Sequence, residues 1–331
     1  MTMPQDKPSG RLRPLDLRRD FEELGRLIET AFAEDLERTG VPLQEELSMG
    51  RRLLPWIGLL GRFSSSIRDL ARGYVWEDRG RMVGLVMIQP EGLGAERRKW
   101  YISTVATHPD YRGRGIARRL MEKALEHIRG RGGELALLNV RANNAPAINL
   151  YESLGFKSFD STTQLRLDGT PDVKFKPVEG YSLRAMGLGE WRTRYELAKE
   201  ATPAEVQAIS PISERGYRVT PWMRVFIPFF SVLQRAEERR WALESEAKVV
   251  GMLTLRAVRY PSMHQLRLLI HPQHERAAEA LLTQALSVLK DYQGCGVLAG
   301  VRSSRAELLD LFKRYGFFEV DASYRMALKL R

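Results

Sequence analysis

One pattern of segments is written twice along this chain, and that repetition narrows the fold more than any other feature. Leu12-Arg13-Pro14-Leu15-Asp16-Leu17 predicts a strand leading into an amphipathic helix over residues 21–32, and Leu183-Arg184-Ala185-Met186-Gly187-Leu188 repeats it before a helix over 191–201. Leu53-Leu54-Pro55-Trp56-Ile57 is matched by Val219-Thr220-Pro221-Trp222-Met223. Alternating strands at 74–78 and 82–88 flank the turn Arg79-Gly80-Arg81, and 241–245 with 249–255 form the second such hairpin. Strands at 100–107 and 265–270 each end in His-Pro, at His108-Pro109 and His271-Pro272. Helices at 118–129 and 277–289, strands at 135–140 and 297–301, and the pairs Gly155-Phe156 and Gly316-Phe317 complete the two copies. This order predicts an α/β chain of two tandem domains, each a mixed, mostly antiparallel sheet flanked by helices. Pro171, Lys174, Lys176 and Pro177 mark a linker, which places the division at 1–172 and 173–331.

The length of 331 residues suits two domains. Cys295 is the sole cysteine, so neither an intrachain disulfide nor a cysteine metal site can form, and no metal is expected. The apolar runs near Trp56 and Phe226 are far shorter than the ~20 residues that span a bilayer. The first residues, Met1 to Arg13, carry no apolar core of a secretory signal, and a cytoplasmic location without membrane attachment is the expectation. The net charge is +11, from 52 basic and 41 acidic residues, but the basic residues are scattered among acids with no Arg-rich arm, which counts against nucleic acid.

The turn Arg112-Gly113-Arg114-Gly115-Ile116-Ala117 lies between a strand and a helix. Small residues at Gly113, Gly115 and Ala117 let backbone amides approach an anion closely, the following helix dipole favours negative charge, and Arg112, Arg114, Arg118 and Arg119 add cations. By itself such a turn is equally a plain connection between a strand and a helix. The longer run from Thr104 to Met121 resembles the signature of the GNAT acetyltransferase superfamily, and so does Val140-Arg141-Ala142-Asn143-Asn144-Ala145-Pro146-Ala147-Ile148-Asn149-Leu150-Tyr151-Glu152-Ser153-Leu154-Gly155-Phe156.

The resemblance is strong over about residues 10–167 and weak beyond. It implies that backbone groups of Val105 and Thr107 bind the pantetheine arm of acetyl-CoA like an added strand. The amides of Arg112, Gly113, Arg114, Gly115, Ile116 and Ala117 would cradle the pyrophosphate, Asn144 would contact the cofactor arm, and Tyr151 would protonate the departing thiolate. Asn144 also suits the cap of the next helix, and Tyr151 also suits a packed ring. The base is left open among Tyr101, Ser103, Glu77 and a water chain, while His108, at a strand end before Pro109, is read as non-catalytic.

In the second copy, Glu275 stands at the position of Arg112, Arg276 at Gly113, Ala278 at Gly115, Arg305 at Asn144 and Phe312 at Tyr151. A carboxylate and two β-carbons damage the cradle, and the acid is lost. The second domain is therefore read as degenerate. Trp56, Leu59, Leu60, Phe63, Trp222, Phe226, Phe229 and Phe230 could wall the acceptor or pack between domains or in a homodimer. The expected activity is acetyl transfer from acetyl-CoA to a primary amine of a small molecule, by direct attack in a ternary complex. The alternatives are a peptide acceptor, because the 140–156 segment also resembles protein N-terminal acetyltransferases, and a non-catalytic acyl-CoA-responsive module.

Overall fold

The computed structural model describes residues 10–33, 72–91, 98–169, 172–218, 236–258, 263–292 and 296–330. The two Pro-Trp segments, the apolar residues read as an acceptor wall or as packing between domains or in a homodimer, and Cys295 lie outside the described residues. The chain forms two compact units, one of residues 1–140, 145–157 and 326–331, the other of 141–144 and 158–325.

The first unit carries β1 (Arg11–Pro14), β2 (Arg72–Asp78), β3 (Arg81–Pro90), β4 (Lys99–Thr107) and β5 (Leu135–Arg141), in spatial order β1-β2-β3-β4-β5. Among the described residues its α-helices are α1 (Leu17–Ala31), α2 (Ile116–Gly130) and α3 (Ala145–Ser153). Among the described pairings of β1 to β5 only β4–β5 is parallel, as the crossover through α2 requires. Alternation along the strands divides the apolar side chains between two layers. Trp76, Val83, Val86 and Ile88 pack with α2 residues such as Leu120, Met121 and Ile128, while Val75, Leu85 and Ala106 pack with Leu24 and Leu27 of α1. Helix α1 begins four residues before the expected start, because the Asp16 side chain accepts from the Arg18 amide at 3.0 Å and caps it; β1 correspondingly ends at Pro14.

The second unit carries β6 (Lys157–Leu167), β7 (Ser182–Ala185), β8 (Ala236–Ser245), β9 (Lys248–Val258), β10 (His264–Ile270) and β11 (Val297–Arg302), in order β6-β11-β10-β9-β8-β7. The last strand, β12 (Phe318–Lys329), contributes to this unit up to Arg325. Helices α4 (Trp191–Ala201), α7 (Ala278–Leu289) and α8 (Ala306–Arg314) repeat those described in the first copy, and α5 (Ala204–Ile209) and α6 (Glu214–Tyr217) are short helices that follow α4. Helix α7 buries Ala278, Leu281, Leu282, Ala285, Leu286 and Leu289 in a core with Leu253, Leu266 and Val297.

The copies exchange their closing strands. Strand β6 ends the first sequence copy yet pairs antiparallel with β11, from Leu167 opposite Val297 to Thr162 opposite Arg302. The end of β12, from the second copy, belongs to the first unit, where the Leu330 amide donates to the Glu134 carbonyl at 2.9 Å. The exchange is reciprocal to the level of single contacts. A methyl group added at Gly155 would lie 3.2 Å from Leu328 Cδ1, and one added at Gly316 would lie 3.3 Å from Leu167 Cδ1.

Candidate active site

Strands β4 and β5 pair only from Lys99 opposite Leu135 to Ile102 opposite Leu138. Immediately beyond, the β3–β4 register skips Ser103, since Met87 faces Thr104 while Ile88 faces Ile102. An extra residue of this kind bends a strand and reverses the side chains that follow. The burial pattern shows that reversal. Trp100 and Ile102 lie in the α2-side core, and after the bulge it is Val105 that packs there while Ala106 turns to α1. Val105 and Thr107 thus sit on a stretch of β4 that is paired with β3 but not with β5, the arrangement an extended ligand needs to add itself as a strand.

The turn after β4 presents backbone donors in the way an anion would need. His108 begins a 3-10 turn, Pro109–Tyr111, and its Nδ1 accepts from the Asp110 amide at 3.3 Å, so the imidazole has a capping task. Gly113 and Gly115 follow in the left-handed region, at φ 78° and 76°. A methyl group at either would meet no atom within 4 Å; the backbone conformation, and not protein packing, calls for glycine. Gly115 caps α2 without a side-chain acceptor. The first amide of this segment with an acceptor is Arg119, bonded to the Gly115 carbonyl at 3.2 Å; among the described residues none is recorded for the amides of Gly113, Arg114, Gly115, Ile116, Ala117 and Arg118. Six successive donors at the positive end of a 15-residue helix fit a pyrophosphate. Ile116 itself points its side chain into the core, so only its backbone faces this role.

The arginines around the turn are held locally. Arg112 donates to the Ala31 carbonyl at 3.2 Å, and Arg114 donates to the Asp110 carbonyl at 2.9 Å while lying over the Tyr111 ring. Arg119 stands over Trp76. Arg118 reaches Ser153 Oγ at 2.5 Å, and so ties the first turn of α2 to the end of α3, the helix that carries Tyr151.

Tyr151 is 7% exposed and meets Phe156 edge to face at 6.1 Å. Its hydroxyl has no recorded hydrogen bond among the described residues, and burial raises its pKa to about 12. The phenol is therefore protonated throughout the neutral range. Asn144 immediately precedes α3, in the loop segment grouped with the second unit, and its amide donates to the Arg141 carbonyl at 3.1 Å.

Of the bases left open by the sequence, Glu77 is committed elsewhere. Arg13, Arg19 and Arg11 reach its carboxylate at 2.6, 2.7 and 2.9 Å, and the Arg13 hydrogen bond leads the interactions that hold its pKa below the ordinary value against the opposing effect of burial. Tyr101 lies before the bulge on the face opposite Trp100 and Ile102, and Ser103 is the exposed bulge residue. Among the described residues no cluster of three metal-ligating side chains occurs, and no helix is long and apolar enough to cross a membrane.

The matching slot of the second copy is filled by its own side chains. Strands β10 and β11 pair from His264 opposite Val297 to Leu266 opposite Ala299 and then part, but the β9–β10 register runs unbroken, without a bulge. Arg305 enters the gap. It pairs with Glu275, donates to the Ala201 carbonyl at 2.9 Å and reaches the Ile270 carbonyl at 3.4 Å. Ile270 precedes His271-Pro272 as Thr107 precedes His108-Pro109. Phe312, at the place of Tyr151, is fully buried against Phe317 at 5.0 Å. The sequence showed Glu275 and Arg305 as two separate losses; the structure joins them in one ion pair.

The Acetyltransferase (GNAT) family matches this chain twice, over residues 29–156 and 195–317. The mycothiol acetyltransferase of Thermobispora bispora is 34% identical over 150 residues, covering 45% of this chain and 47% of that protein. The chain thus spans about half the length of that relative. The [ribosomal protein bS18]-alanine N-acetyltransferase of Escherichia coli K12 is 31% identical over 121 residues, covering 37% of this chain and 77% of that enzyme. A solved structure described as a tandem GNAT protein from the clavulanic acid biosynthesis pathway superposes with a TM-score of 0.62 at 16% identity, over 98% of this chain and 99% of the other, a likeness of fold.

Proposed function

Because this chain belongs to the GNAT acetyltransferase family, we propose that its first copy, residues 1–172, transfers acetyl from acetyl-CoA to a primary amine of a small molecule by direct attack in a ternary complex. The observation that carries this reading is the run of amides from Gly113 to Arg118 that have no acceptor among the described residues, beside a stretch of β4 not paired with β5, set against a second copy whose slot is occupied by Arg305.

In this reading the amides of Gly113 to Ala117 hold the pyrophosphate, that of Arg112 being already given to the Pro109 carbonyl at 3.1 Å, and the backbone of Val105 and Thr107 aligns the pantetheine arm along β4. A backbone amide near Val105 polarises the thioester carbonyl. Asn144 is assigned to the cofactor arm by the resemblance. The amine nitrogen bonds to the carbonyl carbon as the carbon–sulfur bond breaks. Tyr151 gives its proton to the sulfur and regains one from solvent, while the proton lost by the amine passes to water. A phenol near 12 is a reluctant donor to a thiolate in bulk water. The same dry surroundings raise the basicity of the sulfur, so the two values approach one another when both are enclosed.

The bS18-alanine N-acetyltransferase, matched over 77% of its length, favours a second acceptor, the α-amine of a protein N-terminus. Steady-state acetylation of a panel of small amines and of N-terminal peptides decides between them. Calorimetry with acetyl-CoA examines the donor site alone: Gly115→Glu is expected to abolish binding, and unchanged affinity removes the cradle assignment.

A further inference from the structure

Unit boundaries and sequence copies do not coincide, and the mismatch falls beside Tyr151. The first unit keeps α3 and the Gly155-Phe156 turn but gives up β6, the strand that follows them in sequence, and takes residues 326–331 in its place. Met326 is fully buried in one apolar cluster with Tyr151 and Phe156, and Leu328 and Leu330 pack against that cluster. Leu328 closes on the turn itself, 3.2 Å from where a β-carbon on Gly155 would lie. That turn is tied to the acid residue, since the Phe156 amide donates to the Tyr151 carbonyl at 3.0 Å and the Phe156 ring meets the Tyr151 ring edge to face.

The geometry points to Met326 and Leu328, supplied by the second copy, as positioning residues for Tyr151 of the first. This rests on Tyr151 acting as the acid, as proposed above. The degenerate copy acts on the chemistry through its last strand and needs no ligand of its own. Apolar side chains behind a phenol exclude water and fix its ring direction, and a displacement of the order of 1 Å at a reacting group costs up to about a hundredfold in rate.

The exchange supplies its own control. Leu165 and Leu167 of β6 hold the mirror positions in the second unit, Leu165 fully buried and Leu167 3.3 Å from a β-carbon on Gly316, beside Phe312, which has no hydroxyl to aim. Leu328→Ala and Leu167→Ala delete the same group at equivalent sites. The readouts are kcat and donor KM with the full chain, and the fluorine resonance of Tyr151 in protein labelled with 3-fluorotyrosine, assigned by its absence from Tyr151→Phe. The expected result is that Leu328→Ala lowers kcat about tenfold or more with donor KM within roughly twofold, and shifts the Tyr151 resonance. Leu167→Ala is expected to lower Tm similarly while leaving kcat and that resonance unchanged. Equal effects of the two variants on kcat, or an unmoved resonance in Leu328→Ala, overturn the assignment. Should Leu328→Ala not be recovered folded, Leu328→Val carries the same readouts. A wild-type protein inactive with every amine overturns the acetyl-transfer reading instead, and the resonance still reports whether β12 fixes the Tyr151 ring.

Discussion

The two copies keep the same scaffold and use the same gap in opposite ways. In each, a parallel strand pair parts before a His-Pro corner whose imidazole accepts from the amide two residues on, at 3.3 Å in both cases. In the first copy a bulge at Ser103, two left-handed glycines and six amides without an acceptor among the described residues border a gap that no described side chain enters. In the second, Arg305 occupies the gap, with Glu275 as its counterion and backbone carbonyls as its acceptors. Whether the gap is open or filled is thus a local property of a few residues around a common core. Filling it calls for a side chain that satisfies the polar groups it exposed, since buried polar groups left unpaired are costly.

The largest expected effect separates the two copies at their matched aromatic residues. Tyr151→Phe removes one hydroxyl from a ring that packs in the core, so folding and acetyl-CoA affinity should persist. General acid catalysis is worth about 10² to 10⁴ in rate, and kcat should fall by at least the lower figure. Phe312→Tyr, its mirror, should leave kcat unchanged and destabilise the protein by roughly 1–3 kcal/mol, because the new hydroxyl enters a fully buried site. Measuring kcat and the denaturation midpoint of both variants checks the pair; a Tyr151→Phe enzyme with unaltered turnover removes the acid assignment.

Next in size is the plug of the second copy. Arg305 and Glu275 are each only 12% exposed, and Arg305→Met leaves the carboxylate without its counterion. Breaking a buried pair from one side costs about 3 kcal/mol, which a denaturant midpoint will show. Acetyl-CoA stoichiometry by calorimetry should stay at one per chain, because Arg276 and Ala278 still stand where Gly113 and Gly115 make the first cradle. Two equivalents bound to Arg305→Met would mean that the plug alone distinguishes the copies.

How much of this was legible in the sequence depends on whether the signal is local. The left-handed turn before α2 was legible because glycine at 113 and 115 is a direct mark of such backbone, and the α2 and α7 helices because their apolar spacing repeats at the helical period. The bulge at Ser103 was not, because a bulge is defined by the partner strand's register, and nothing in Ile102-Ser103-Thr104 announces it. The exchange of β6 and β12 escaped for a related reason. Leu165, Leu167, Met326 and Leu328 alternate as any half-buried strand does, and alternation tells which face is buried but not which strand lies alongside. Arg305 was visible only as the absence of Asn, since its partners Glu275, Ile270 and Ala201 are distant in sequence.

The smallest expected difference concerns a clamp the copies share. Arg13 bridges Asp20 at 2.7 Å and Glu77 at 2.6 Å, and Arg184 bridges Glu190 at 2.8 Å and Glu244 at 2.7 Å, each joining a first strand to the helix and strand beside it. The first clamp is buried, with side-chain exposures of 13%, 2% and 11% for Arg13, Asp20 and Glu77; the second lies open, at 41%, 33% and 25% for Arg184, Glu190 and Glu244. Arg13→Met is therefore expected to cost about 3 kcal/mol and Arg184→Met less than about 1 kcal/mol, the latter vanishing in high salt. The hydrogen bond from Arg13 is the main cause holding Glu77 below its ordinary 4.5. A carboxylate depressed in this way contributes stability that is complete above its unfolded pKa and is lost as the pH falls through the folded value. The penalty of Arg13→Met should accordingly be full at pH 7 and shrink on acidification below about 4.5, as wild type loses the same interaction. Denaturant midpoints of both variants at neutral and acidic pH measure this, and equal penalties at pH 7 would mean that burial does not separate the two clamps.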